Sequence, residues 1–296
     1  MKIIPIKSLS DIMNTSPCAL ALGNFDGVHL AHKTLLDTAI ASGLTPAVFT
    51  FDHCHPEALT DLSEKLSLFE AQGIRLCFLA PFSLFREVSA EDFICYLKEM
   101  LCAGSLVCGY NFRFGRGASG DAALLTRLSD RYGMRAYTLP AVTENGQPIS
   151  STRIRSLLKA GDVSYANRLM GHPYTVSGEV IRGYGIGTSK LTFPTLNLEA
   201  AKPIPLLHGV YITEAVIDGV CYPAITNVGN NPTIEKKALT LETHLLKASG
   251  DFYHKQVTLR FLAFLRPERA FSTPEDLRRE IAENVKAAMR YHGVAE

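Results

Sequence analysis

The spacing of apolar residues changes character near Gly171, and that change constrains the chain more than any one motif in it. Ahead of it, short apolar runs alternate with helical patterns. CALALG reads as a strand and HKTLLDTAIAS as a helix, with Leu35, Leu36, Ala39 and Ile40 on one face and Gly43 at its end. PAVFTF, IRLCFLA, SLVCGY and RAYTLP are further strands, and SAEDFICYLKEML and DAALLTRLSDRYG further helices, the former opened by Ser89 and Asp92 in capping-box spacing. Such alternation builds a parallel sheet with crossover helices. Past Gly171, YTVSGEVI, GVYITEAVI, CYPAITNVG, ALTLETHLL and QVTLRFLAFL follow one another with turns but no helix between them, which builds an antiparallel sheet or barrel. The chain closes with a helix that starts at Thr273 and Pro274 and carries Leu277, Ile281, Val285 and Met289 at i+4 spacing.

The expected organisation is an α/β domain over residues 1–160, a linker over 161–171 and a β-rich domain over 172–296, which suits a 296-residue chain. Lys plus Arg number 30 against 29 Asp plus Glu, a balance that argues against a nucleic acid or an anionic membrane as the main partner. A small anionic ligand needs only a few local groups and stays open. No apolar run reaches the ~18 residues of a membrane span and the opening residues hold no signal-peptide core, so the expected location is the cytoplasm. Seven scattered cysteines without a CxxC pair read as reduced thiols. A homo-oligomer is compatible with all of this.

Four loops of the first half favour phosphate. In GNFDGVHLAH, residues Gly23, Asn24, Phe25 and Asp26 form a tight loop between a strand and a helix entry, where His29 and His32 sit three apart. Backbone N–H groups and the positive end of a helix dipole gather there, and imidazoles can stabilise charge developing on a phosphoryl group. DHCHP puts Asp52, His53, His55 and Pro56 at a strand's carboxyl end, where open α/β sheets bind ligands. NFRFGRGASGD sets Asn111, Arg113 and Arg116 among glycines suited to close backbone approach, and ISSTRIR offers Ser150, Ser151 and Thr152 with two arginines at a helix start. Each alone is as well explained by an ordinary surface loop; together they favour nucleotide binding.

The second half has its own pattern. GEVIRGYGIGTSKLTFPTLNL joins a turn containing Gly183, Gly185 and Gly187 to Thr195 and Asn197, two residues apart on a strand and so able to share a Mg²⁺ from one side. LETHLL places Glu242 and His244 on one strand face, a carboxylate in a barrel mouth being a candidate general base for a hydroxyl. A plain hairpin and a solvent-facing glutamate are the alternatives.

In this order, GNFDGVHLAH, FTFDHCHP, CGYNFRFG, ISSTRIR, FPTLNL, ITNVGNNPT and LETHLL resemble the prokaryotic bifunctional riboflavin kinase/FAD synthetases. The resemblance implies an α/β nucleotidyltransferase-type parallel sheet domain followed by an antiparallel β-barrel riboflavin kinase domain with a C-terminal helix. It implies that the barrel makes FMN from riboflavin and ATP, and that the first domain makes FAD from FMN and a second ATP. By it, His29 and His32 contact the ATP phosphates, Asn111 lies in the nucleotide and flavin site, and Thr152 and Arg155 close over the phosphates. Thr195 and Asn197 would hold Mg²⁺ and phosphate, and Glu242 would activate the riboflavin 5′-hydroxyl. Ala31 stands where the family signature has Gly, which matters if its φ is positive; His53–Cys54, Thr192 and Leu196 also depart from the pattern. The alternatives are a riboflavin kinase with an impaired adenylyltransferase and a flavin- or nucleotide-binding protein without turnover.

Overall fold

A computed structural model of the chain describes all residues except 12–15, 53–54, 182–194, 200–202, 231–238, 247, 249–251, 270 and 295–296, and leaves out the side chains of 195, 199, 230 and 239. The chain divides into two compact units, Met1–Ser151 and Thr152–Glu296.

The first unit is a six-stranded parallel sheet of β1 (Lys2–Pro5), β2 (Cys18–Leu22), β3 (Thr45–Phe51), β4 (Leu76–Ala80), β5 (Ala103–Gly109) and β6 (Arg135–Leu139), in the order β1-β4-β3-β2-β5-β6. Helices α1 (Leu30–Ala41), α2 (Leu62–Gln72), the single turn α3 (Phe82–Phe85), α4 (Ala90–Glu99) and α5 (Ala122–Arg131) connect the strands, and a small hairpin of β7 (Thr143–Glu144) and β8 (Gln147–Pro148) follows. The β2 run CALAL is buried throughout, as a central parallel strand must be. Its alternate side chains serve two cores: Leu20 and Leu22 pack with Phe49, Phe78 and α4, while Ala19 and Ala21 leave room for Leu35, Leu36 and Ala39 of α1. Ile40, expected on that stripe, is instead 37% exposed. Ser89 caps α4 as its spacing predicts, accepting the Asp92 N–H and donating its hydroxyl to the Asp92 carboxylate at 2.6 Å. Strand order runs outward in opposite directions from β2 and β5, so the carboxyl ends of these two neighbours form the switch point at which such sheets open a crevice.

In the second unit, α6 (Ser151–Lys159) and α7 (Val163–Met170) lead into a closed antiparallel barrel of β9 (Tyr174–Ile181), β10 (Thr195–Glu199), β11 (Gly209–Ile217), β12 (Val220–Asn230), β13 (Leu239–Leu245) and β14 (Gln256–Pro267), ordered β10-β13-β12-β11-β14-β9. Asp218 and Gly219, both at positive φ, make the tight turn between β11 and β12. Tyr174, Tyr211 and Phe261 fill the interior alongside the hydroxyls of Thr213, Thr226 and Thr243. The final helix α8 (Pro274–His292), capped by Thr273, buries Ala288 and Met289 against Val210, Ile212 and Ile225 on the outer wall.

Residues 161–171, expected as a linker within a helix-like stretch, hold α7, which packs on β14 and β9. Asn167 ties both ends, its Nδ2 donating to the Phe261 carbonyl at 2.8 Å and its Oδ1 accepting the Tyr174 N–H at 2.7 Å. The division into units likewise falls after Ser151 rather than near 160. The described cysteines are free thiols, and among the described residues no helix is long and apolar enough to cross a membrane.

Candidate active sites

At the switch point of the parallel sheet, the loop after β2 is clamped from several sides. Asp26 accepts the Leu59 N–H at 2.7 Å, the Gly27 N–H donates to the Thr60 hydroxyl at 3.2 Å, and the Ser151 hydroxyl donates to the Asp26 carbonyl at 2.8 Å. Within the loop, Phe25 and Val28 hold φ of 51° and 36°, costly for an aromatic and a β-branched residue. Gly23 closes β2 by donating its N–H to the Phe49 carbonyl at 3.3 Å.

His29 is the N-cap of α1, and its Nδ1 accepts the His32 N–H at 3.3 Å, so in the neutral ring the proton sits on Nε2. The two imidazoles stack with centroids 3.6 Å apart, and the Phe25 ring meets His32 edge-on at 5.3 Å. Burial first, then His29 and Lys65, hold the His32 pKa well below the usual imidazole value. His32 is therefore a neutral hydrogen-bonding ring at pH 7 rather than a fixed positive charge. Its Nδ1 is buried with no partner among the described residues. Ala31 lies within α1 and is absent from the residues at positive φ, so its methyl adds no backbone strain.

The remaining loops divide. Asn111 is exposed in the turn after β5, where the Phe112 N–H donates to the Gly109 carbonyl at 3.0 Å. Of the glycines that follow Asn111, Gly117 stands open and exposed at positive φ, while Gly115 and Gly120 let the loop pack closely. A Cβ on Gly115 would meet the Ala90 backbone at 2.7 Å and one on Gly120 the Phe114 ring at 2.7 Å, while Arg113 lies 3.9 Å from Asp121. His55 is exposed and accepts the Glu57 N–H at 3.0 Å; His53 and Cys54 lie outside the described residues. Thr152 and Arg155 stand on α6, Thr152 exposed and Arg155 half-buried.

On the barrel, strand register assembles the second site. Glu242 on β13 is the direct partner of Asn197 on β10 and, on its other side, of Asn227 on β12. Thr195 pairs with His244 one step along. Their alternates Leu198, Leu241, Thr243 and Val228 are buried in the interior, so the Asn197–Glu242–Asn227 row lies on the outward face of the barrel wall. Leu196 shares the interior face with Leu198, as expected of an apolar replacement. Glu268, just past β14, covers Gly229, where any Cβ would overlap its carboxylate. Glu242 is exposed on this wall; partial loss of hydration where its carboxylate lies against the barrel, and Glu268 second, raise its pKa. Gly183, Gly185, Gly187 and Thr192 lie outside the described residues, as does the Thr195 side chain.

The amide oxygen of Asn197 suits a hard divalent cation, and no group of three His, Cys, Asp or Glu among the described residues could hold one alone. A cation here would be shared with a ligand's phosphate oxygens. Sequence reasoning missed Asn227, although ITNVG has the period-2 signal that sets Asn227 opposite to buried Thr226 and Val228. It also missed Lys65, whose place in a helical pattern signals only a surface lysine.

Models of the FAD synthetase and riboflavin kinase families match residues 11–153 and 170–292. The bifunctional riboflavin kinase/FMN adenylyltransferase of Escherichia coli (strain K12) is 30% identical, covering 94% of each chain, and that of Bacillus subtilis (strain 168) is 32% identical, covering 92% of each. A crystal structure described as a macrolide-efflux protein from Streptococcus pneumoniae is similar throughout, with a TM-score of 0.88 at 27% identity over 97% of this chain and 98% of that one.

Proposed function

The chain belongs to the family of bifunctional riboflavin kinase/FMN adenylyltransferases, and from that premise we propose which residues carry each of its two reactions. It transfers the γ-phosphoryl group of ATP to riboflavin, giving FMN and ADP, and the adenylyl group of a second ATP to FMN, giving FAD and pyrophosphate. Family substrates and products are thus riboflavin, FMN, ATP and FAD.

For the kinase, the row Asn197–Glu242–Asn227 carries the assignment. Glu242 takes the proton of the riboflavin 5′-hydroxyl as its oxygen attacks the γ-phosphorus, and ADP leaves with the broken bond's electron pair. A carboxylate whose pKa is raised by its surroundings is a stronger base than a free glutamate, which suits a hydroxyl proton. By the family resemblance, Asn197 and Thr195 would hold the divalent cation. Enzymes of this family need a divalent metal, and we assign Mg²⁺, which when bound offsets the charge of the β- and γ-phosphates.

For adenylyl transfer, an FMN phosphate oxygen attacks the α-phosphorus of ATP and pyrophosphate departs. No covalent nucleophile is needed, so positioning and hydrogen bonding carry the step. His29, through Nε2–H, and His32 contact the ATP phosphates at the N-terminus of α1. The family resemblance assigns Asn111 to the nucleotide and flavin site and Thr152 and Arg155 to the phosphates. Ala31 without strain and both domain matches favour two working activities over a kinase alone. The test is the flavin product profile of the purified protein with riboflavin, ATP and Mg²⁺: FMN followed by FAD is expected, and no FMN would overturn the kinase assignment.

A further inference from the structure

Lys65 is the only buried lysine among the described residues, 3% exposed. Ammonium groups are almost never buried without partners, because desolvation disfavours the charge. It sits in the first turns of α2, and its Nζ donates to two backbone carbonyls at 3.3 Å each, those of Asn24 after β2 and Phe51 at the end of β3. The Asn24 carbonyl also accepts from the buried Thr50 hydroxyl at 3.3 Å. These acceptors lie at the carboxyl ends of neighbouring strands, and the first opens the loop that runs to His29.

That loop is strained, with Phe25 and Val28 at positive φ, and strain of this kind persists only where surrounding bonds over-determine it. A trans peptide is planar, so a carbonyl drawn inward turns the following N–H outward. Drawing the Asn24 carbonyl to Lys65 therefore turns the Phe25 N–H away from it, and no acceptor takes that N–H among the described residues. A buried ammonium is also screened less by salt than a surface one, so its attraction for a polyphosphate reaches further.

We propose that Lys65 is a positioning residue for adenylyl transfer: its bonds to Asn24 and Phe51 lock the strained loop, presetting the Phe25 N–H and the His29–His32 pair for a phosphate. The proposal rests on placing adenylyl transfer in the parallel-sheet unit. The full-length Lys65→Met and Lys65→Arg proteins are assayed for FAD formation from supplied FMN and ATP, with FMN formation from riboflavin as the control in the same molecule.

Met, similar in shape but without charge or donors, should lower kcat for FAD formation about a hundredfold, the cost of a misplaced site, with KM for FMN within about threefold. Arg, keeping charge and donors, should recover at least about tenfold of that loss. Thr50→Val, which removes the second donor to the Asn24 carbonyl, should lower kcat about threefold to tenfold and keeps the test open if the Met variant does not fold. FAD formation within threefold of the parent in both Met and Val variants overturns the proposal, as does an equal loss of FMN formation or an Arg variant no better than Met. His29→Ala is run alongside: if it keeps FAD formation, the placement of the reaction is wrong instead.

Discussion

Glu242 is set apart from an ordinary surface glutamate by what surrounds its carboxylate: the barrel wall first, and the Glu268 carboxylate over Gly229 second. Both favour the protonated form, so kinase kcat/KM should fall at a higher pH than a free glutamate would give as the solution is acidified. Glu268→Gln removes one of the two causes and should move that acid limb to lower pH without removing it; a limb that stays put would show that Glu268 does not act on the base. The sign for stability is the reverse. A carboxyl with a raised folded pKa favours folding below its unfolded pKa and loses that contribution as pH climbs through the folded value. Glu242→Gln should thus melt at a slightly higher temperature than the parent at neutral pH while making no FMN. The candidate base was legible in LETHLL, and strand parity put it on one face with His244; its pairing with Asn197 was not, because register between strands is set only when the barrel closes. Which face looks outward was not, since Leu241 and Thr243 read equally well either way until the barrel closes.

Among elements, the barrel's interior carries the least expected feature, a chain of hydroxyls running from Thr213 through Thr226 to Thr243, each link 2.9 Å and each residue fully buried. Thr226 is the middle member, so Thr226→Val leaves both neighbours without their partner. That should cost about 2 kcal/mol in a denaturant melt, the desolvation penalty of buried polar groups left unpaired. Replacing all three by valine leaves nothing unpaired and should recover most of the loss; a triple variant weaker than the single would refute this. The strands themselves were readable because buried parallel runs and alternating barrel runs differ in texture on either side of Gly171. β1 was not, since KIIP is short, contains proline and exposes three of its four residues at the sheet edge. α6 and α7 were legible as one helix-like stretch, STRIRSLLKAGDVSYANRLMG; that Gly161 and Asp162 divide it into two helices, Asp162 capping the second, was not.

At the scale of the whole molecule, each unit has its own hydrophobic core, and FMN is the product of one reaction and the substrate of the other. A net charge of +1 gives no overall field to steer ATP, so each site must attract phosphate by local means; on the proposed assignments these are a helix N-terminus and a buried lysine in one, and a cation in the other. If the sites are independent, their loss should be separable and complementable. His29→Ala should make FMN from riboflavin and stop there, and Glu242→Gln should make FAD only when FMN is supplied. An equimolar mixture of the two should then convert riboflavin to FAD, with free FMN rising first and falling afterwards, because the intermediate has to leave one molecule and enter another. Chromatography of the flavins over time reads all three arms. Should Glu242→Gln, while folded, fail to make FAD from supplied FMN, the two activities share a group and the division of roles between barrel and sheet is wrong. Should it succeed while the mixture still halts at FMN, the intermediate does not pass between molecules, and its route from site to site lies within one chain.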